Sequence, residues 1–231
     1  MAQTGLGGGR ILGLRAEAGK QLYDYWNALR NGAAAPDRRD VDPAALRRFL
    51  ASTLILEFTG DAHLLFRIAG TTVCSAFGRE LRDHNFVSLW DGDARNDFVS
   101  AAALLRKSAV GIVARFEAQT LDRRAHHGEF MLLPLRGKSG GIDGVIGHFH
   151  LHKGIENLAH GRLVRLNGKM MEVLDPAVDA VEVIRADAPL PPTRLLNLVG
   201  QSERRARARD TGPLGALFAN KLSSFVNGSD D

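Results

Sequence analysis

The chain has 231 residues, 45% hydrophobic and 24% charged, with a formal net charge of +4, enough for one good-sized domain with extensions or two small ones. No apolar run approaches the about 20 residues that span a bilayer, so no transmembrane segment is predicted and a cytoplasmic setting is expected. The lone Cys74 excludes an intrachain disulfide and any cysteine-rich metal site.

In chain order, residues 1–14 are Gly-rich and read as a flexible N-terminus without a signal-peptide core. Leu14, Ala18, Leu22, Tyr25, Trp26 and Leu29 recur at helical spacing, which predicts a helix over 15–31 that stops at Gly32. Asp42-Pro43 reads as an N-cap followed by proline at the first helical position, predicting a second leading helix through Leu50. Val/Ile/Phe-rich runs at 53–59 and 62–69, joined at Gly60-Asp61, predict a hairpin. A helical middle follows over 70–107, with a central helix over 94–107. Three further strands are predicted over 110–121, 128–136 and 142–151, separated by turns at 123–127 and 137–141. Strands, helices, then strands is the order of an α+β domain with helices on one face of an antiparallel sheet.

From Lys153 onward the pattern changes. A short strand over 162–166, a turn at Asn167-Gly168 and a break at Ala188-Pro189-Leu190-Pro191-Pro192 make 186–212 linker-like. The cluster Arg204-Arg205-Ala206-Arg207-Ala208-Arg209 holds no aromatic residue and is bracketed by Glu203 and Asp210. It reads as a solvated charge run, with an acidic lipid, RNA or acidic protein as the alternative partner. Leu214, Leu217, Phe218, Leu222 and Phe225 form one apolar stripe, predicting an amphipathic helix over 213–226. That helix either caps the domain or docks on a partner or membrane surface.

Several blocks fall in a fixed order: Tyr25-Trp26-x-x-Leu29-Arg30-x-Gly32, Pro36-x-Arg38-x-Asp40-x-Asp42-Pro43, Phe66-Arg67-Ile68-Ala69-Gly70-Thr71, Phe77-Gly78-Arg79-Glu80-Leu81 and Leu132-Leu133-Pro134-Leu135. Together they resemble the short bacterial family of stand-alone PAS domains, over about residues 20–152. The resemblance implies a sensory or regulatory domain with a five-stranded antiparallel sheet in the order 2-1-5-4-3. It divides the chain into leading helices (15–50), a PAS core (51–152) and a C-terminal extension (153–231). It supplies no agreed ligand.

Each PAS ligand class needs its own residues. Flavin photochemistry needs a cysteine on a later helix, whereas Cys74 sits in Thr72-Val73-Cys74-Ser75-Ala76 and reads as a small buried hydrophobe. Haem needs an axial histidine; the central helix has none, and His84 falls in a polar loop. Both cofactors are disfavoured and none is required. His148, His150 and His152 alternate along the last strand and share its outer face, with Val145, Phe149 and Leu151 on the other. His148 and His150 are the weak metal candidates, against a structural or interface role. Phe86 and Trp90 border the expected cavity, as pocket wall or plain core. Arg95 and Asn96 open the central helix, where an anionic ligand could meet its N-terminus. Arg67 either recognises a ligand or pairs across strands with Glu57. No phosphate loop, nucleophile elbow or HExxH block occurs, and no enzyme is expected.

The resulting expectation is a non-enzymatic regulatory module that binds a small ligand or a signalling protein. It is expected to be a homodimer through Leu22, Tyr25, Trp26 and Leu29, with Phe218 and Phe225 as a second contact. The alternative is an adaptor for an acidic partner, nucleic acid or membrane surface through the arginine cluster and terminal helix. Nucleic acid is the less favoured of these.

Overall fold

The computed structural model describes residues 14–60, 63–121, 123–158, 162–175 and 180–185. The predicted residues 1–13, Asp61, the arginine cluster and the terminal helix with Phe218 and Phe225 lie outside them. Seven strands form one antiparallel sheet: β1 (Thr53–Phe58), β2 (Leu64–Ala69), β3 (Gly111–Thr120), β4 (Ala125–Arg136), β5 (Ile142–Leu151), β6 (Leu163–Asp175) and β7 (Ala180–Arg185). Their order is β2-β1-β5-β4-β3-β6-β7. The five-stranded order expected for a PAS core is present, and the C-terminal extension lengthens the sheet by two strands.

Helices α2 (Thr71–Phe77) and α3 (Gly92–Ser108) follow the first hairpin. They cover the inner face, where Leu54, Phe66, Phe86, Trp90, Phe98, Phe116, Phe130 and Phe149 form one buried cluster. The outer face is covered by α1 (Glu17–Arg30) and the segment after it. There Leu22, Trp26, Leu46 and Phe49 pack on Val113, Met131, Leu133 and Ile146. Each such side chain, fully buried, contributes about 1.5–3 kcal/mol. Strand alternation fixes this division: Val145 and Phe149 point inward while Ile146 and His148 point outward.

Two predictions are corrected. The helix expected from Asp42 to Leu50 is a run of tight turns that ends in one 3-10 turn over Leu50–Ser52. Asp42 does cap, its Oδ1 accepting the Ala44 N–H at 2.8 Å. The bonds that follow, however, are i to i+3 (Ala44 O to Arg47 N, Leu46 O to Phe49 N). That threefold winding puts Leu46 and Phe49 on the sheet, which an α-helical repeat would not do as directly. The second correction is at Asn167-Gly168, which is no turn but part of thirteen-residue β6. The register there shifts by one residue, Arg115 facing Met170 and Phe116 facing Gly168. A bulge and a turn draw on the same residues, so local sequence does not separate them.

The blocks that carry the family resemblance meet one another. The Trp26 indole N–H donates to the Pro134 carbonyl at 2.8 Å. The Asp42 N–H donates to the Tyr25 hydroxyl oxygen at 2.8 Å. Arg136 donates its backbone N–H to Pro36 O and its Nε to Ala35 O. Gly70 ends β2 where the backbone of Leu50 and Ala51 crosses it, and a Cβ there would strike that backbone. These residues fasten the leading segment to the sheet. No helix among the described residues is long and apolar enough to cross a membrane.

Candidate functional site

Beneath the start of α1, the outer face carries a polar row inside an otherwise apolar layer. In register across the sheet lie His150 on β5, Glu129 on β4 and Arg115 on β3. Glu129 is 1% exposed. Its Oε1 accepts the backbone N–H of Arg15 at 2.9 Å and of Ala16 at 3.4 Å. Its Oε2 stands 3.6 Å from Arg115 Nε, and Arg115 Nη1 donates to Glu172 Oε1 at 2.6 Å. One guanidinium thus lies between two buried carboxylates, and the nearer strand's carboxylate holds the backbone just ahead of α1. Ala16 has no side chain with which to cap the helix, so Glu129 supplies from the sheet what the helix end lacks.

One strand over, buried His148 lies under Gly19 of α1 and 3.0 Å from Ser52 Oγ. Burial first, and then the neighbouring His150, brings its pKa down to about 4. His152 is also lowered to about 4, by burial first and then by Arg15, His150, His127 and Arg115. His150 and His152 rings are 5.7 Å apart. No group of three or more His, Cys, Asp or Glu among the described residues is arranged to hold a metal ion. The three histidines line a groove of about 720 Å³ with Arg15, Glu17 and Lys153.

The predicted ligand residues do not converge. Phe86 and Trp90 sit in the inner cluster, Trp90 stacked on Phe98 at 5.0 Å and Phe86 edge-on to Phe130 at 4.9 Å. The Trp90 Nε1 is buried and has no partner among the described residues. Arg95 is exposed, and its Nε donates to the Trp90 carbonyl at 3.0 Å, which closes the turn before α3. Asn96 is exposed on the first turns of α3. Arg67 makes the cross-strand pair with Glu57 (3.0 Å) and reaches Asp83 at 2.9 Å. Arg38 reaches the same Glu57 at 3.3 Å, and hydrogen bonds from Arg67 first, then Arg38, hold the Glu57 carboxyl below its usual range.

Of the predicted interface residues, Leu22 and Trp26 are 0% and 1% exposed against this chain's own sheet, and Tyr25 and Leu29 are half-buried. A dimer that used Leu22 and Trp26 would need α1 to leave. Cys74 is half-buried on α2, and burial pushes its thiol pKa up. His84 is exposed in its loop. Glu129, Arg115 and Glu172 were missed from sequence. The available signal was that Arg115 and Glu129 occupy outward positions next to apolar Val113, Met131 and Leu133, although the outward positions beyond them, Glu117, Gln119 and His127, are polar as well.

Among solved structures, the chain is similar to an RNA-binding light-oxygen-voltage receptor at 21% identity, over 47% of this chain and 33% of that one, with a TM-score of 0.37. It is similar to the VqmA dimer of Vibrio cholerae at 14% identity, over 51% and 55%, TM-score 0.37. The light-state LOV domain of the blue-light photoreceptor Aureochrome1 aligns at 15% identity, over 48% and 88%, TM-score 0.37. The match thus spans about a third of the first receptor and about half of VqmA. No curated protein sequence matches the chain. A profile of the PAS domain matches residues 14–150, more than half of the chain, and the chain belongs to the PAS domain family.

Proposed function

We propose that this sensory or regulatory PAS module acts by binding and without catalysis, and that its output is the release and redocking of α1 on the sheet. The observation that carries this reading is the pair of hydrogen bonds from the Arg15 and Ala16 backbone to buried Glu129. They tie one end of α1 to the centre of the sheet through a single side chain. Releasing them exposes Leu22 and Trp26, an apolar stripe suited to a second copy of this chain or to a signalling protein. The input is a small ligand in the inner cluster. A buried indole donor without an acceptor costs about 1–3 kcal/mol, and a ligand bearing a carbonyl or ether oxygen next to Trp90 would remove that cost. Such a ligand shifts the population between docked and released α1 only by its differential affinity for the two.

Hydrogen exchange of the full chain and of Glu129→Leu tests this. Faster exchange over residues 14–30 in the variant, with a rise in dimer mass in sedimentation, is expected. Unchanged protection of 14–30 would end the latch reading. Native mass spectrometry of the freshly purified chain reads the input separately, as a bound species lost in Trp90→Phe.

A further inference from the structure

A second groove, of about 470 Å³, lies at the opposite end of the outer face, between the segment after α1 and the β4–β5 hairpin. That volume is in the range that takes a small molecule. Its charges are unevenly satisfied. Asp37 accepts both Nε and Nη2 of Arg39, at 3.0 and 2.9 Å. Arg38 turns to Glu57 at 3.3 Å. Three groups remain. Arg136 uses only its Nε, on Ala35 O, which leaves the outer edge of its guanidinium open. Lys138 is exposed and makes no ion pair among the described residues. Asp143 has no donor among them either, and its Oδ1 is buried.

Asp143 is held in place by shape. Its carboxylate rests directly on Gly137, where any Cβ would collide with it. Gly137 in turn is fixed by its N–H to Gly141 O at 2.9 Å and its carbonyl to Gly140 N at 3.0 Å. A buried acceptor with no donor is costly, and the open fork of an arginine favours a planar carboxylate. One small groove thus presents the outer edge of Arg136, which also feels the neighbouring Asp37 carboxylate, together with Lys138 and Asp143, neither of which has an ion-pair partner among the described residues.

We propose that this groove binds a small zwitterion of the amino-acid type. Its carboxylate sits on the outer edge of Arg136 and on Lys138, and its ammonium donates to the Asp143 carboxylate through the oxygen that is not buried, Oδ2. The site is independent of the Trp90 cluster and of the α1 latch, so its failure leaves both untouched.

Titration calorimetry of the full chain against single proteinogenic L-amino acids tests it. N-acetylated amino acids serve as probes without the ammonium, and simple amines as probes without the carboxylate. Binding of at least one L-amino acid is expected, with both probe sets silent. Asp143→Asn should weaken binding by about ten- to a hundredfold. Lys138→Gln, an exposed change that leaves folding alone, should weaken it several-fold. The proposal is overturned if no amino acid binds at millimolar concentration. It is equally overturned if binding survives Asp143→Asn, or if inorganic phosphate binds as well and ignores Asp143.

Discussion

The two faces of the sheet solve the same packing task with opposite materials. On the inner face, eight aromatic rings lie in one connected set that includes Phe66, Phe86, Trp90, Phe98, Phe116, Phe130 and Phe149. On the outer face, an apolar layer of Leu22, Trp26, Met131 and Ile146 surrounds Glu129, Arg115, Glu172 and His148. Rings tolerate small shifts because their contacts are many and individually weak. Buried charges are held to one geometry because each lost partner is costly. The inner face is thus suited to yielding around a ligand, and the outer face to recording in an all-or-none way whether α1 is docked.

The largest expected effect tests the inner face. Phe130 contacts Phe86, Trp90, Phe116 and Phe149, so Phe130→Ala should cost about 3–5 kcal/mol in denaturant unfolding. A much smaller loss would mean that the ring set collapses freely. On the outer face, Arg115→Leu strands two carboxylates and should also approach about 3 kcal/mol. Glu129→Leu leaves Arg115 on Glu172 and should cost less. Equal losses would show that the three charges do not act as the asymmetric set described above.

A pH series sharpens the contrast, because the inner face has no titrating group in its ring set. His148 has a folded pKa of about 4 against an ordinary 6.5, so the unfolded chain takes up the proton first as pH falls. Stability from this group is therefore complete above about pH 6.5 and is lost between about 6.5 and 4, by about 3 kcal/mol. His148→Leu should remove the His148 share of that slope in urea midpoints measured across the window, the rest belonging to His152, whose pKa is also lowered to about 4. A slope unchanged by the substitution would place the titration elsewhere. The smallest effect belongs at the rim of the sheet. Arg67 and Glu57 are each about a third exposed, so a double-mutant cycle should give about 0.2–1 kcal/mol. A larger coupling would make the rim, and not the buried row, the electrostatic anchor.

What the sequence disclosed follows the range of the forces involved. Strand alternation is a nearest-neighbour property, and it placed Phe149 inward and His148 outward correctly. The Arg67–Glu57 pair was readable too, since two adjacent strands of one hairpin bring it together. The Asp42-Pro43 signal was real as a cap, yet a cap starts a 3-10 turn as readily as an α-helix. What followed was decided by Leu46 and Phe49 reaching the sheet. Burial of Glu129 could not be read locally at all, because its partners are the backbone N–H groups of Arg15 and Ala16, more than a hundred residues earlier. The groove at Asp143 was hidden for the same reason. Its glycine looked like turn chemistry, and its second function, making room for the Asp143 carboxylate, lies within the same hairpin, whereas the far wall of the groove comes from Asp37, Arg38 and Arg39.

The pairing of β6 with β3 has a consequence for the edge of the sheet. Without β6, the ten residues of β3 would form an open border, offering unpaired N–H and C=O groups to any extended chain. With it, the border passes to β7, a strand of six residues. Among the described residues, the extension thus shortens the open border from ten residues to six. A shorter border offers fewer backbone groups to a passing strand, so any contact made there leans more on side chains.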